Sequence, residues 1–456
     1  MLILGTRPEI IKMAPVIKAL QKKRDVNILI IHSGQHYDFE MSQILFDELN
    51  LPSADINLKV GSGTHSTQTA KMLIHYEEVI TKYKPNLVLA EGDTNTVVAA
   101  GLASIKLQVP FGHVEAGLRC YDRTMPEEIN RTLADDCAEI CFAPNEWAAL
   151  NLLYEGIPPH KIFVTGNPIV DQCLLIKNKL NKQSNIISKF GLNKKQFLLV
   201  TLHRSETVDN KEKLEKIINS FLKMEDLYIV FPLHPRTRKK LIQYDLLSNL
   251  QKAIHIKLTS PLGYFDFLNL LTHTKIVITD SGGIQEEAFT YGKPCITLRD
   301  NTERPETIWA GANFLVGNNG YKIEQKVRTI LNDTGFEDRI KKIKNPFGDG
   351  LAGEKIASIC IEQCKKNISI ISPTYLQGGS IIYRIHQISK SLENTTVTKF
   401  EKKFPELTIS LIYDNKGIPY LPKPKIILKK DWKIRIFGDV YHINNFEKQL
   451  NNQIET

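Results

Sequence analysis

The chain has 456 residues, with 59 Lys+Arg against 50 Asp+Glu for a formal charge of +9, 42% hydrophobic residues and seven cysteines. That apolar content excludes a disordered chain, and the length suits two or three domains of roughly 100–200 residues, each with its own core. The apolar runs are strand-sized, short of the roughly 18 residues that suggest a membrane span, and few, odd-numbered cysteines argue for reduced thiols in a cytoplasm.

The N-terminal MLILGTRPE lacks the charged region, apolar core and cleavage site of a signal peptide. From there to about residue 370, β-branched runs alternate with amphipathic stretches. Strands are predicted over Leu2–Leu4, Ile28–His32, Leu87–Ala90, Phe163–Thr165, Phe197–Leu202, Leu227–Phe231, Ile254–Leu258, Ile276–Thr279 and Cys295–Leu298. Helix-length segments such as Ile10–Lys22, Thr67–Lys82 and Lys211–Leu222 lie between them. This alternation implies βαβ units and parallel sheets covered by helices on both faces. Gly166–Asp171 reads as a hinge, because a Lys/Asn-rich stretch follows it and a second α/β series begins at Phe197. Two α/β domains facing each other across a cleft are therefore expected, over 1–166 and 167–349.

From about residue 368 the pattern changes. Residues 371–390 include one helical stretch, whereas 404–421 and 424–443 alternate with period two, with a turn signal at Asn415-Lys416-Gly417. A small antiparallel or α+β appendage over 368–456 is expected. It holds 13 Lys+Arg and 8 Asp+Glu, so it carries +5 of the charge.

Several constellations fit chemistry. Gly5-Thr6-Arg7-Pro8-Glu9 makes a helix start, with Thr6 as cap and Pro8 near the first position. Arg7 and Lys12 then sit where they complete an anion site or merely form a solvated face. Gly61-Ser62-Gly63 does not extend to a dinucleotide fingerprint. Asp93, Glu115 and the pair Glu127-Glu128 fall at probable strand ends or just beyond them, where parallel α/β folds hold ligands. They suit proton transfer, with turn capping or pairing to Arg119 or Arg131 as the plainer reading. His203-Arg204 and His234, with Arg236, follow apolar strands of the second series and suit phosphate contacts or proton shuttling. Asp280-Ser281-Gly282-Gly283 leads from a strand into a helix that Gly292 would end. Backbone amides at such a start form a phosphate site, although a ligand-free turn fits the same residues. Cys137/Cys141 and Cys360/Cys364 have helical spacing without the usual zinc partners, so core packing is expected and no metal or cofactor is implied.

Taken in order, GTRPEIIKMAP, SGQHYDFEM, EGDTNT, GHVEAGLR, PEEINR, GNPIVD, TLHRSE, PLHP, TDSGGIQEEA and DNTERPE resemble the non-hydrolysing UDP-N-acetylglucosamine 2-epimerases over about residues 2–366. The resemblance implies an α/β GT-B fold of two Rossmann-like domains, with a helix over about 350–366 crossing back to the first. It also implies interconversion of UDP-GlcNAc and UDP-ManNAc through elimination of UDP to a 2-acetamidoglucal and readdition. By motif position, Asp93, Glu115, Glu127 and His203 correspond to the catalytic set. Arg7, Lys12, Arg204, His234, Phe267, Ser281, Gly282, Gly283, Glu287 and Arg304 correspond to nucleotide-sugar contacts, with Glu287 at the ribose and Phe267 by the uracil. Gln35 and His36 fit a regulatory UDP-GlcNAc site.

The implied partners are a UDP-sugar and a second copy of the chain, in a cytoplasmic setting. The mild charge makes a nucleic-acid partner unexpected, and the appendage, which the family pattern does not cover, stays free to bind a partner of its own. Only four residues precede Gly5, so the first strand is expected to be short or to begin upstream. Three rivals stay open. They are a hydrolysing relative releasing ManNAc and UDP, a GT-B glycosyltransferase, and an interaction scaffold on an inactive epimerase fold.

Overall fold

The computed structural model of the chain describes residues 1–35, 39–177, 179–193, 195–366 and 381–451. Seven short strands, β1 (Leu2–Leu4), β2 (Ile30–His32), β3 (Ile56–Asn57), β4 (Val88–Glu91), β5 (Phe111–Val114), β6 (Ile140–Ala143) and β7 (Ile162–Val164), form the first sheet. Its order is β3-β2-β1-β4-β5-β6-β7, and every pairing is parallel. The second sheet contains β8 (Phe197–Thr201), β9 (Tyr228–Pro232), β10 (Ile256–Thr259), β11 (Ile276–Thr279), β12 (Cys295–Thr297) and β13 (Asn313–Leu315). It is also parallel, in the order β10-β9-β8-β11-β12-β13. Central strands such as β1, β4 and β11 are buried along their whole length, which is why they read as apolar runs up to the polar residues Glu91 and Thr279 that end β4 and β11.

Strand order reverses between β1 and β4 in the first sheet and between β8 and β11 in the second. Parallel α/β sheets bind ligands just outside the carboxyl ends of strands at such reversals. The helices that begin or flank these points are α1 (Arg7–Gln21), α2 (Asn95–Lys106), α3 (Pro126–Cys137), α4 (Glu146–Glu155), α5 (Pro168–Lys177), α6 (Pro235–Gln243), α7 (Tyr264–His273) and α8 (Gly282–Thr290). The helix α9 (Ala352–Lys365) returns to α1, and a Cβ on its Gly353 would lie 2.8 Å from the Pro15 backbone. Only glycine permits that approach. Cys141 and Cys360 pack in the two cores of this region, as their spacing suggested.

Four strands of the two parallel sheets escaped the sequence reading, namely β3, β5, β6 and β13. In β5, Gly112 and the buried His113 interrupt the apolar pattern, yet a Cβ at Gly112 would sit 2.5 Å from Leu89 Cδ2.

Beyond α9, the appendage is a four-stranded antiparallel sheet of β14 (Ile381–Gln387), β15 (Thr408–Tyr413), β16 (Pro419–Tyr420) and β17 (Lys433–Asp439), ordered β14-β17-β15-β16. Helices α10 (Val397–Lys403) and α11 (Val440–Asn451) complete it around Phe400, Ile412, Ile434, Ile436 and Phe446. The Asn415–Gly417 turn joins β15 to β16, as expected. Two expectations are corrected. Of the run 371–390, expected to include a helical stretch, residues 371–380 lie outside the described residues and 381–387 form a strand, and the period-two run 424–443 is a strand only from Lys433, ending in α11. Asp439 accepts from the backbone N of His442 at 2.8 Å and so starts that helix where the alternation alone would continue the strand. The appendage sits on α4. Tyr383 donates to the Gly156 carbonyl, Arg435 to that of Leu153, and Lys423 pairs with Glu146 at 2.6 Å. No helix among the described residues is long and apolar enough to cross a membrane.

Candidate active site

At the end of β1, Glu9 caps the start of α1 in reverse. Its carboxylate accepts from Gly5 N at 2.6 Å, Thr6 Oγ1 at 3.0 Å and Thr94 Oγ1 at 2.7 Å, while burial pushes its pKa up to about 7. Thr6 occupies the cap position without making the usual side-chain bond to the helix. Arg7 reaches to the second half of the chain and donates to the Leu262 carbonyl at 3.0 Å. Lys12, buried one turn further on, lies 2.9 Å from Glu91 at the end of β4 and 2.5 Å from Glu115 beyond β5.

Glu115 is the pivot of the cleft. It has φ +73°, a left-handed conformation that costs a non-glycine residue of order 1–3 kcal/mol and marks functional sites when it persists. Its carboxylate also accepts from Asn167 Nδ2 at 2.7 Å and Arg304 Nη2 at 2.9 Å. Although it is wholly buried, the neighbouring Lys12 and Arg304 outweigh desolvation and hold its pKa down to about 2. Arg304 grips Glu286 of α8 at 2.7 Å in turn, and Asn167 donates to the same carboxylate at 2.9 Å. Thus one carboxylate from beyond the first sheet is held by Asn167, between the two sheets in sequence, and by Arg304, which follows β12 of the second.

Asp93, two residues past β4, pairs with Arg131 of α3, which also binds Glu128 at 2.6 Å. Asn130 donates to the Asp93 carbonyl at 3.0 Å. Glu127 is half-buried at the first turn of α3. Across the cleft, His203 follows β8, and its Nδ1 lies 3.2 Å from Asp280 Oδ1. Asp280 also accepts from the backbone N of His203 at 3.0 Å and of Arg204 at 2.9 Å. These donors hold Asp280 below the ordinary aspartate range against its burial. With Nδ1 engaged, Nε2 is the nitrogen left for chemistry. The His234 ring stands 5.6 Å from that of His203, and its Nδ1 caps α6 by accepting from Arg236 N at 3.2 Å.

The start of α8 matches its sequence reading. Ser281 is the cap, Gly282 and Gly283 open the helix, and Gly292 closes it at φ +68°. A Cβ at Gly282 would meet Glu303 Oε1 at 2.6 Å, while one at Gly283 would meet nothing within 4 Å, so the helix start has room on its Gly283 side. Unpaired backbone N–H groups and the positive dipole end suit an anion there. Glu287 lies on the buried side of α8 with the Tyr264 hydroxyl donating to it at 3.2 Å, and burial pushes its pKa up to about 7. Phe267 is partly buried on α7. Arg204 pairs with Glu303 at 3.3 Å, as Arg299 does at 2.8 Å.

Of the residues expected for catalysis and substrate, Lys12, Glu115 and Arg304 are in direct contact, the His203 and His234 rings are neighbours, and Arg204 feels the charges of Glu127 and Asp93, while the others lie at the α1 and α8 starts and along α7 and α8. Gln35 is buried and accepts from Thr96 Oγ1 at 2.8 Å, while His36 lies outside the described residues. The expected pairing of a carboxylate to Arg131 is found at Glu128, Asp280 is read from sequence only as part of a turn, and Glu91, Asn167, Glu286 and Glu303 are not among the expected site residues. Arg131 had a local signal, since it sits one turn after Glu127 and Glu128 on the same helix. The others act through contacts that local pattern does not carry.

A family model described as UDP-N-acetylglucosamine 2-epimerase matches residues 18–361. The chain belongs to that family. It is 48% identical over 363 residues to the UDP-N-acetylglucosamine 2-epimerase of Methanocaldococcus jannaschii, covering 78% of this chain and 97% of the relative. A crystal structure of a Methanocaldococcus jannaschii UDP-GlcNAc 2-epimerase in complex with UDP-GlcNAc and UDP superposes with a TM-score of 0.74 at 49% identity, covering 79% of this chain and 99% of that one. A UDP-2,3-diacetamido-2,3-dideoxy-D-glucuronate 2-epimerase of Pseudomonas aeruginosa is 39% identical over 359 residues, covering 78% and 97%. The fold of this epimerase-family chain is the GT-B arrangement, with the antiparallel appendage added after the matched region.

Proposed function

We propose that the chain reversibly epimerises UDP-N-acetylglucosamine to UDP-N-acetylmannosamine at C2, supplying ManNAc units for polysaccharide or glycan synthesis. The observation that carries this reading is the Lys12–Glu115–Arg304 contact that ties the two sheets together, with Asp93 and His203 just beyond β4 and β8, within a chain of this family. In the forward direction a carboxylate removes the C2 proton. The C1–O bond breaks with its electron pair going to the UDP β-phosphate, leaving a bound 2-acetamidoglucal. In return, the UDP oxygen adds to C1 and a proton is delivered to the other face of C2.

Charge develops on the departing diphosphate, and preorganised donors there lower the barrier. The α8 start with Ser281, Gly282 and Gly283, together with Arg7, Lys12, Arg204, His234 and Arg304, serves that end. Asp93, Glu115, Glu127 and His203 serve proton transfer, with Arg131 and Asp280 orienting Asp93 and His203. Glu287 takes the ribose hydroxyls and Phe267 the uracil. Lys12 and Arg304 link the two ends, because both now hold Glu115 and both are suited to phosphate. As they turn to the diphosphate, Glu115 loses donors and becomes the stronger base.

Gln35 and His36 are proposed to border a regulatory UDP-GlcNAc site. Ile129 and Leu133, one turn apart on α3 and still exposed, support a homodimer. Seven unpaired cysteines suit action in the cytoplasm, and the appendage is proposed to bind a partner. Incubation with UDP-GlcNAc tests the reading. A mixture with UDP-ManNAc and conserved total UDP-sugar supports it, whereas net release of free ManNAc and UDP gives the hydrolysing alternative. Faster turnover of the diacetamido-glucuronate nucleotide would move the substrate to that of the Pseudomonas relative.

A further inference from the structure

Glu91 is a buried carboxylate that the scheme above does not use. It ends β4, 1% exposed, and its side chain reaches the Lys12 ammonium at 2.9 Å. Lys12 is shared with Glu115 at 2.5 Å, and Glu115 with Arg304, which binds Glu286. Three carboxylates, Glu91, Glu115 and Glu286, therefore face two cations, Lys12 and Arg304, in a space closed to solvent. Ionising all three would leave one negative charge uncompensated, which burial penalises strongly. Burial therefore favours a proton held within the cluster, where Glu286 too is pushed up to about 7 by desolvation.

Geometry indicates where that proton sits. Glu115 accepts from three donors, Lys12, Asn167 and Arg304, and Glu286 from two, Arg304 and Asn167. Among the described residues, the Glu91 carboxylate has the Lys12 contact alone. The other groups facing it add no positive charge, since Glu9 on α1 and Glu115 beyond β5 are both acidic. Desolvation together with these neighbours pushes the Glu91 carboxyl well above the usual carboxylate range.

We propose that Glu91 is a positioning residue, a neutral carboxyl that holds Lys12 beside Glu115 in the free protein and releases it to the diphosphate without adding a second bare carboxylate to that of Glu115. This rests on the reading of Lys12 as a diphosphate contact. Once Lys12 turns to the phosphate, Glu91 loses its cation. A neutral Glu91 tolerates that, whereas an ionised one pulls Lys12 back. Binding of UDP is therefore coupled to protonation of Glu91, and affinity falls as the pH rises through its ionisation.

Calorimetric titration of the full-length protein with UDP from pH 6 to 9.5, repeated in buffers of different ionisation enthalpy, tests this. The wild type is expected to lose UDP affinity about tenfold per pH unit on the alkaline side and to take up a proton on binding there. Glu91→Gln, which keeps the shape and stays neutral, should lack both, binding UDP at least tenfold tighter than the wild type at the alkaline end. Superimposable pH profiles for the two proteins would overturn the assignment alone, and so would weakened binding by Glu91→Gln across the whole range. If the variant fails to fold, absence of alkaline proton uptake by the wild type overturns it. A wild type that binds no UDP at any pH would bring down the functional reading, and this assignment with it.

Discussion

Replacement of Asp280 by Asn isolates the contribution of a residue that touches no substrate. Its carboxylate serves three donors, the backbone amides of His203 and Arg204 and the His203 ring. An amide has one oxygen, so at least one of those donors must face an NH2 group in the variant. A buried donor left unpaired costs about 1–3 kcal/mol, and loss of the charge removes the fixed Nδ1–H orientation of His203. If half or more of that cost falls on the transition state, kcat/KM drops roughly 2–150-fold. The melting temperature falls by roughly 4–8 °C for ~2 kcal/mol lost. Because Asp280 is held below its unfolded value, its stabilisation is present above the ordinary aspartate pKa and fades as pH drops through the folded one. The stability gap between wild type and Asp280→Asn should therefore close in acid. Steady-state kinetics and thermal melts at several pH values measure both effects. Retention of kcat/KM within twofold, with an unchanged kcat pH profile, would refute the idea that Asp280 orients His203.

Three further outcomes are expected. Arg131→Lys cannot serve both Asp93 and Glu128 through one planar fork, so kcat should fall roughly 10²-fold, of the order seen when one charge-assisted contact in a site is lost, with KM for UDP-GlcNAc nearly unchanged. Gly282→Ala brings a methyl group to 2.6 Å from Glu303 Oε1, and should raise the UDP dissociation constant measured by calorimetry while the fold stays intact by circular dichroism. Burial raises Glu287 to about 7, so its contribution to stability is present below the unfolded glutamate pKa and is lost as pH rises through about 7. Glu287→Gln should flatten the decline of melting temperature between pH 5 and 8.

The two-sheet architecture was legible because buried parallel strands are apolar runs set between amphipathic helices. Where a strand needed other chemistry, the pattern broke. His113 in β5 is buried because Asp135 accepts at 2.6 Å from one ring nitrogen, while the other meets the Gly92 carbonyl at 2.7 Å. In the appendage, alternation ran past Asp439 because a capping carboxylate leaves no periodic trace. Site residues at strand ends could be found one at a time, since topology puts them there. Their partners could not. Arg304 and Glu115 are 189 residues apart, Asn167 and Glu286 119, and His203 and Asp280 77. The same distance in sequence hides Glu91, whose meaning depends on a lysine on another element.

The appendage holds the other half of the charge account. It is seated on the C-terminal end of α4, where Arg435 and Tyr383 satisfy carbonyls that a helix end leaves open. Glu155 on the same turn pairs with Arg119, four residues beyond Glu115. Truncation after residue 366 should leave kcat/KM within about twofold, since the cleft residues all lie before it, and should change oligomer size or partner binding if the appendage is an interaction module.

The central claim is transfer of a proton at C2 with the nucleotide retained, and nuclear magnetic resonance of UDP-GlcNAc turned over in deuterated water tests it most directly. The account predicts UDP-ManNAc carrying deuterium at C2, followed by deuterium in the remaining UDP-GlcNAc, with no net loss of UDP-sugar. UDP-ManNAc retaining the original hydrogen, or an unlabelled UDP-GlcNAc pool with no product, would contradict it.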